Sequence, residues 1–137
     1  MFEQHIHPAL SNVPLVLLSI AGLREIQRSQ GSQGSSLSWV IWATVFVLFA
    51  FLSGYLAAPY AHSILKISEP EISFHHRIGK VSLICSVVTM ILGFIAERAR
   101  YNQNIFRTAY RLFLLCSIAS MIYGGYLGGA LLLTPRM

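Results

Sequence analysis

Four apolar stretches, at about 8–25, 38–60, 79–97 and 109–133, constrain the fold of this chain more than any other feature. A helix that crosses a bilayer needs roughly 20 predominantly apolar residues, and the last three stretches carry charged residues only near their ends. The first stretch is the weakest because Ser11, Asn12 and Pro14 interrupt it. We therefore expect an all-α integral membrane bundle of four helices that forms a single domain.

Composition supports this fold class. The chain has 137 residues, of which 55% are apolar and 11% charged, and its mean hydropathy is +0.61. These values are hard to reconcile with a soluble domain of this size. The leader before the first stretch has no Lys or Arg and no clear cleavage site follows, so we expect this stretch to remain as a helix. No basic stripe interleaved with aromatic residues suggests nucleic-acid binding.

The basic residues predict the orientation of the bundle. Two connections, after the first and third stretches, hold Arg24, Arg28, Arg98, Arg100, Arg107 and Arg111, whereas the other side holds Lys66, Arg77, Lys80 and Arg136. Basic residues gather in short cytoplasmic loops. We therefore expect both termini and every histidine on the non-cytoplasmic side of a bacterial inner membrane or a thylakoid-type membrane, with anionic lipid headgroups near the basic residues.

The connections and the two cysteines give further expectations. The Ser-, Gln- and Gly-rich segment Ser29–Ser38 is typical of a flexible linker. The longer segment 61–78 contains Pro70 and is expected to be a loop that folds over the mouth of the bundle. Cys85 and Cys116 fall at different depths of their predicted helices, so they are interpreted as packing residues and not as a disulfide.

Small residues recur at helical spacing in the third and fourth stretches. The rows are Gly79-Ser82-Ser86-Thr89-Gly93, Cys116-Ser120-Gly124-Gly128 and Ser117-Met121-Gly125-Gly129. Each row lies on one helix face, where small side chains let helix backbones approach closely in a membrane. Tight packing is the favoured interpretation. A groove for a flat macrocycle or a quinone ring is the alternative, because such a ring also needs glycine where it meets backbone.

Histidines are the strongest functional signal. The predicted topology brings all five, His5, His7, His62, His75 and His76, to one mouth of the bundle. Two imidazoles from different helices are the minimum protein part of a bis-histidine heme site, and His7 with His76 is the candidate pair, with His75 beside it. Arg77, Lys80 or Arg136 would then meet the heme propionates. For His5 and His62 a simple headgroup location is favoured, and a copper or zinc site formed by all five is a further alternative.

Four short motifs carry a family resemblance over nearly the whole chain. They are Ile6-His7-Pro8 with Pro14, Ser53-Gly54-Tyr55, His76-Arg77-Ile78-Gly79 and Gly125-Tyr126-Leu127-Gly128-Gly129. In order and spacing the chain resembles an uncharacterised bacterial four-span membrane domain family that is often fused to, or encoded with, c-type cytochromes and Rieske proteins. The resemblance implies a compact four-helix bundle in a redox setting, as a heme-binding or quinone-proximal unit.

The chain departs from the family pattern at two histidines. The second family histidine of the first helix is Asn12 here, and the histidine of the fourth helix is Tyr126. His7 and His76 are retained, so the resemblance allows at most one ligand pair. Asn12 and Tyr126 can still donate hydrogen bonds to a ligand or to the retained imidazoles, and Gly125 and Gly128 would lie against a macrocycle.

The expected function follows from these signals. The sequence has no nucleophile elbow, phosphate loop or paired metalloprotease histidines, so an enzyme is not favoured. We expect a small membrane component of a respiratory or photosynthetic electron-transfer complex that binds one b-type heme and works beside a quinone or cytochrome. The alternative is a cofactor-free accessory subunit that packs against a larger membrane complex.

Overall fold

The chain folds into four long helices. The computed structural model describes residues 3–29, 35–99 and 101–133, with side chains over 10–28, 35–99 and 101–131. The helices are α1 (Glu3–Ser29), α2 (Leu37–Ser63), α3 (Glu69–Arg98) and α4 (Gln103–Leu133). Each packs against the next along the chain, and α1 closes against α4. Short connections make neighbouring helices antiparallel, so the described residues confirm the all-α bundle.

Three of the helices, α2, α3 and α4 as far as Leu131, are long and apolar enough to cross a membrane. Over its described residues α1 does not reach the same apolar content. The bundle surface carries large apolar side chains, such as Leu56 (74% exposed) and Leu115 (63% exposed), whereas the buried positions of α3 are Ser, Thr, Gly and Ala. An apolar exterior of this kind is compatible with lipid contact.

Helix α3 begins about ten residues earlier than expected. The prediction of a loop over 61–78 is wrong, because α2 continues to Ser63 and α3 starts at Glu69. The Ser68-Glu69-Pro70-Glu71 sequence is a capping box: the backbone N–H of Ser68 donates to Glu71 Oε2 at 3.0 Å, and the Ser68 hydroxyl donates to the same oxygen at 2.6 Å. Proline in the first turn suits a helix start. His75 and His76 therefore lie nearly two turns inside α3.

The row of small residues on α3 packs against both α2 and α4 in the middle of the bundle. Ser82, Ser86, Thr89 and Gly93 are buried, and the Thr89 and Ser117 hydroxyls lie 3.0 Å apart. A Cβ on Gly93 would stand 2.8 Å from Leu37 Cδ1. This part of the row confirms the expected role in close helix packing. Both cysteines are free thiols, with Cys116 exposed on the surface of α4 and Cys85 half-buried.

A buried carboxylate ties three helices together at one end. Glu25 of α1 is only 4% exposed. Its Oε1 accepts a hydrogen bond from Arg111 Nε at 3.1 Å and lies 3.8 Å from Arg107 Nη1. Its Oε2 accepts from the Ser36 hydroxyl at 3.1 Å, and that hydroxyl lies 2.7 Å from the Tyr110 hydroxyl. Ser36 is therefore part of the folded bundle, although residues 30–34 of the expected linker lie outside the described residues.

A second acidic residue at this end is more exposed. Glu97 of α3 lies 3.6 Å from Arg28 and accepts a hydrogen bond from the Ser35 hydroxyl. Its side chain is 31% exposed, whereas that of Glu25 is 5% exposed. We call this end of the bundle the arginine end. It comprises the end of α1, the start of α2, the end of α3 and the start of α4.

Replacing Glu25 by Ala is expected to lower the free energy of unfolding by about 3 kcal/mol, because Arg107 would stay mostly buried without its counter-ion. Thermal unfolding of the detergent-solubilised chain measures the loss. Glu97→Ala is the matched control and should cost less than about 1 kcal/mol, since its pair is exposed. Equal losses in the two variants would contradict the structural role of Glu25.

Candidate functional site

The opposite end of the bundle contains a cavity, and we call it the histidine end. It comprises the start of α1, the end of α2, the start of α3 and the end of α4. The cavity has a volume of about 490 Å³ and draws residues from all four helices. Ligand sites in proteins typically span about 300 to 1,000 Å³, so this cavity is large enough for a ring-sized ligand.

The cavity is mostly apolar, with a few polar groups. Its apolar and small lining residues are Val47, Ala50, Phe51, Gly54, Ala57, Ala58, Ala61, Leu65, Ile67, Ile72, Gly79, Met121, Gly124, Gly125, Gly128, Gly129 and Leu131. Its polar lining residues are Ser11, Asn12, Tyr60, His75, His76 and Ser82. An apolar chamber with a few convergent polar groups is the usual composition of a small-molecule site.

His75 lies against the backbone of α4. A Cβ on Gly128 would stand 3.2 Å from Cε1 of the His75 ring, closer than nearly all Cβ contacts in proteins. Glycine at position 128 therefore lets the imidazole lie directly on the helix surface. The contact positions His75 at the wall of the cavity that α4 forms.

His76 is directed toward α2. Its ring stacks on Tyr55, with centroids 4.3 Å apart and planes at 22°. Its Nε2 lies 3.4 Å from the carbonyl oxygen of Gly54, beyond the usual range for a strong hydrogen bond. The stacked tyrosine therefore orients this ring more firmly than the carbonyl does. Both members of the histidine pair line the cavity, His75 on the side of α4 and His76 on the side of α2.

The two glycine rows of α4 have different surroundings. Positions 124 and 128 are filled from α3, because their Cβ atoms would meet Ile78 Cγ2 at 3.4 Å and the His75 ring. No atom of the described residues lies within 4 Å of where a Cβ would stand at positions 125 and 129, yet both line the cavity. The first row is used for packing. The second row leaves a flat, open wall of helix backbone.

Helix α1 contributes Ser11 and Asn12 to the cavity. His7 precedes Ser11 by four residues in the same helix, so its backbone lies on the same helix face. His5 lies seven residues before Asn12, also on that face. The side chains of His5 and His7 lie outside the described residues, as does Arg136.

Other predicted site residues lie away from the cavity. Tyr126 is 70% exposed and is not among the lining residues, so the structure does not bring it to the site. His62 is exposed and its Nδ1 lies 3.2 Å from the carbonyl oxygen of Ile67 in the connection between α2 and α3. Arg77 and Lys80 are exposed about two and three turns into α3, in the half of the helix nearer the histidine end.

No three His, Cys, Asp or Glu side chains of the described part of the chain lie together as a metal-ligating group. His62 is not among the residues that line the cavity, whereas both α3 histidines are. A two-imidazole heme site does not need such a group, whereas a copper or zinc site formed by all the histidines does.

Sequence reasoning missed the contribution of α2 to this cavity. Ala50, Gly54, Ala57 and Ala61 line it at spacings of four, three and four, with Ala58 beside Ala57. This is the same small-residue signal that marks α3 and α4, so it was available in the sequence. It was obscured by the large apolar residues that share α2.

Comparisons of the chain with protein-family models, with curated proteins and with solved structures find no match.

The two glycine rows predict opposite effects of adding a methyl group. Gly125→Ala should be neutral or should stabilise the chain by up to about 1 kcal/mol, because space is free and alanine favours helix. Gly128→Ala should lower the unfolding temperature and displace the His75 ring. Thermal unfolding and imidazole NMR signals of histidine-labelled protein measure the two effects. Identical behaviour of the variants would refute the distinction between the rows.

Proposed function

We propose that this protein is a small integral membrane component of an electron-transfer complex and that it holds one b-type heme in the cavity at the histidine end. The observation that carries the proposal is the placement of two imidazoles, His75 and His76, beside an open wall formed by Gly125 and Gly129. A flat macrocycle needs a wall of this kind, and heme iron takes imidazole ligands.

The residues that line the cavity fit a heme group in three respects. The chamber is apolar and of suitable size, its α4 wall is open backbone, and at least one imidazole reaches it from α3. His7 is the candidate second ligand, because its backbone lies on the cavity face of α1. Arg77 and Lys80 lie at the same end and would pair with the propionates. Heme, when bound, supplies a one-electron couple, and the protein residues hold it and exclude water.

The proposal includes a topology. All four helices cross the membrane: α1, with 27 residues, is about 40 Å long and matches the length of α2, beside which it packs. The arginine end faces the cytoplasm because it holds five described arginines. The histidine end and both termini then lie on the outer side of a bacterial inner membrane or a thylakoid-type membrane. The cavity is accessible there to a quinone or a cytochrome partner.

Optical spectra test the proposal directly. The chain purified gently in detergent should show sharp dithionite-reduced bands with about one heme per chain. Single variants His7→Ala, His75→Ala and His76→Ala identify the ligands, and we expect His7→Ala and at least one of the α3 variants to lose the bands while remaining inserted. His62→Ala is the matched control and should keep them, because His62 lies outside the cavity.

A cavity-filling variant separates cofactor binding from a purely structural role. Gly125→Leu extends a side chain into open space and should abolish heme binding without lowering stability. Unchanged heme content in every cavity variant would refute the site. A colourless chain that co-purifies with a coloured complex would indicate the cofactor-free accessory subunit instead.

A further inference from the structure

The arginine end carries more positive charge than its own acidic residues neutralise. Among the described residues it has two glutamates, Glu25 and Glu97. Its arginines there are Arg24, Arg28, Arg98, Arg107 and Arg111. The histidine end is nearly balanced, with Lys66, Arg77 and Lys80 against Glu69 and Glu71. The excess charge is therefore concentrated at one end, and part of it is not on the surface.

Arg107 is the least exposed of the ion-paired arginines at this end. Its side chain is only 17% exposed, and its one ion-pair partner in the described part of the chain is Glu25, at 3.8 Å. That distance is too long for a hydrogen bond, and no described residue accepts a hydrogen bond from its guanidinium. A guanidinium has five N–H donors. With only one long contact to a carboxylate, this guanidinium keeps donors that an external acceptor can bond.

Arg111, one turn further along α4, has hydrogen-bond donors that are not used within the described residues. Its Nε donates to Glu25 Oε1 at 3.1 Å, and its two terminal amino groups donate to no described residue. The side chain is 42% exposed, so these groups remain accessible from outside the chain. Paired terminal donors of arginine match two oxygens of one phosphate group.

The charge count of the cluster favours an anion. Two guanidiniums share a single carboxylate, and the other polar partners, Ser36 and Tyr110, are hydroxyls. One positive charge is left without compensation in a half-buried place. Arg107 and Arg111 lie about 6 and 12 Å from the start of α4, near the end of a helix that is long and apolar enough to cross a bilayer.

We propose that Arg107 and Arg111 form a binding site for the phosphate of an anionic phospholipid, with the terminal amino groups of Arg111 as its bidentate contact. Glu25 is the positioning residue, because its bond to Nε turns the rest of the guanidinium outward. The lipid phosphate also offers acceptor oxygens to Arg107. This site lies at the opposite end of the bundle from the heme cavity, and it does not depend on any cofactor.

Lipid retention tests the site. The full chain, reconstituted in nanodiscs of phosphatidylcholine with phosphatidylglycerol and then extracted into mild detergent, is examined by native mass spectrometry for retained phosphatidylglycerol. Arg111→Lys keeps the charge but loses the paired donors, and it should reduce retention about five-fold. Arg98→Gln is the control, because it removes a charge at the same end from a side chain that lies over Phe94. It should leave retention nearly unchanged.

The outcomes are distinguishable. Selective loss in Arg111→Lys supports the site. Equal loss in Arg98→Gln would show that only general surface charge attracts the lipid, and full retention in Arg111→Lys would refute the bidentate contact. If inorganic phosphate in lipid-free detergent raises the unfolding temperature as much as phosphatidylglycerol does, the site binds a soluble anion and the lipid assignment is overturned.

Discussion

The close approach of α3 and α4 is the contact on which the rest of the bundle depends. It is possible because residues such as Thr89, Gly93 and Ser117 present little volume, and because each hydroxyl there is also bonded to a carbonyl of its own helix. Where apolar surface gains nothing by leaving lipid, such packing replaces the hydrophobic drive of a soluble core. With α3 held against α4, the remaining helices close the ring around them, and α1 makes its smaller contact with α4.

The two ends of this ring of helices differ in how they are packed. At the arginine end a carboxylate is enclosed, and arginines and hydroxyls from α2 and α4 must converge on it. At the histidine end the same helices stay apart enough to leave a chamber, because α2 and α4 both turn small residues toward it. Side chains of α3 pack against one glycine row of α4, and no described side chain packs against the other. The bundle is therefore compact at one end and hollow at the other.

Much of this arrangement could be predicted from the sequence. The four apolar stretches gave the number of helices, and the spacing of Ser82, Ser86, Thr89 and Gly93 identified the buried face of α3. The start of α3 was missed, although Ser68 and Glu71 form a recognisable capping box, because Pro70 was interpreted as a loop residue. That error placed His75 and His76 at the helix end instead of inside the bundle.

Other features needed three dimensions. The spacing of the α4 glycines does not say which row faces α3, because that depends on helix rotation. Glu25 looks like an ordinary residue at the end of a helix, and only folding shows that it is enclosed by partners from residues 36 to 111. Sequence patterns record which residues share a face. They do not show which helix or side chain packs against that face.

The small volume of the side chains buried on α3 has a consequence for how this sequence can change over time. In a soluble domain the most damaging substitutions remove volume from the interior. On the buried face of α3 there is little side-chain volume to remove, and the harmful direction is growth at positions such as Gly93. The exterior accepts exchange among large apolar residues, because lipid adapts to their shape. Divergent versions of this chain should therefore retain their small residues far better than their large ones.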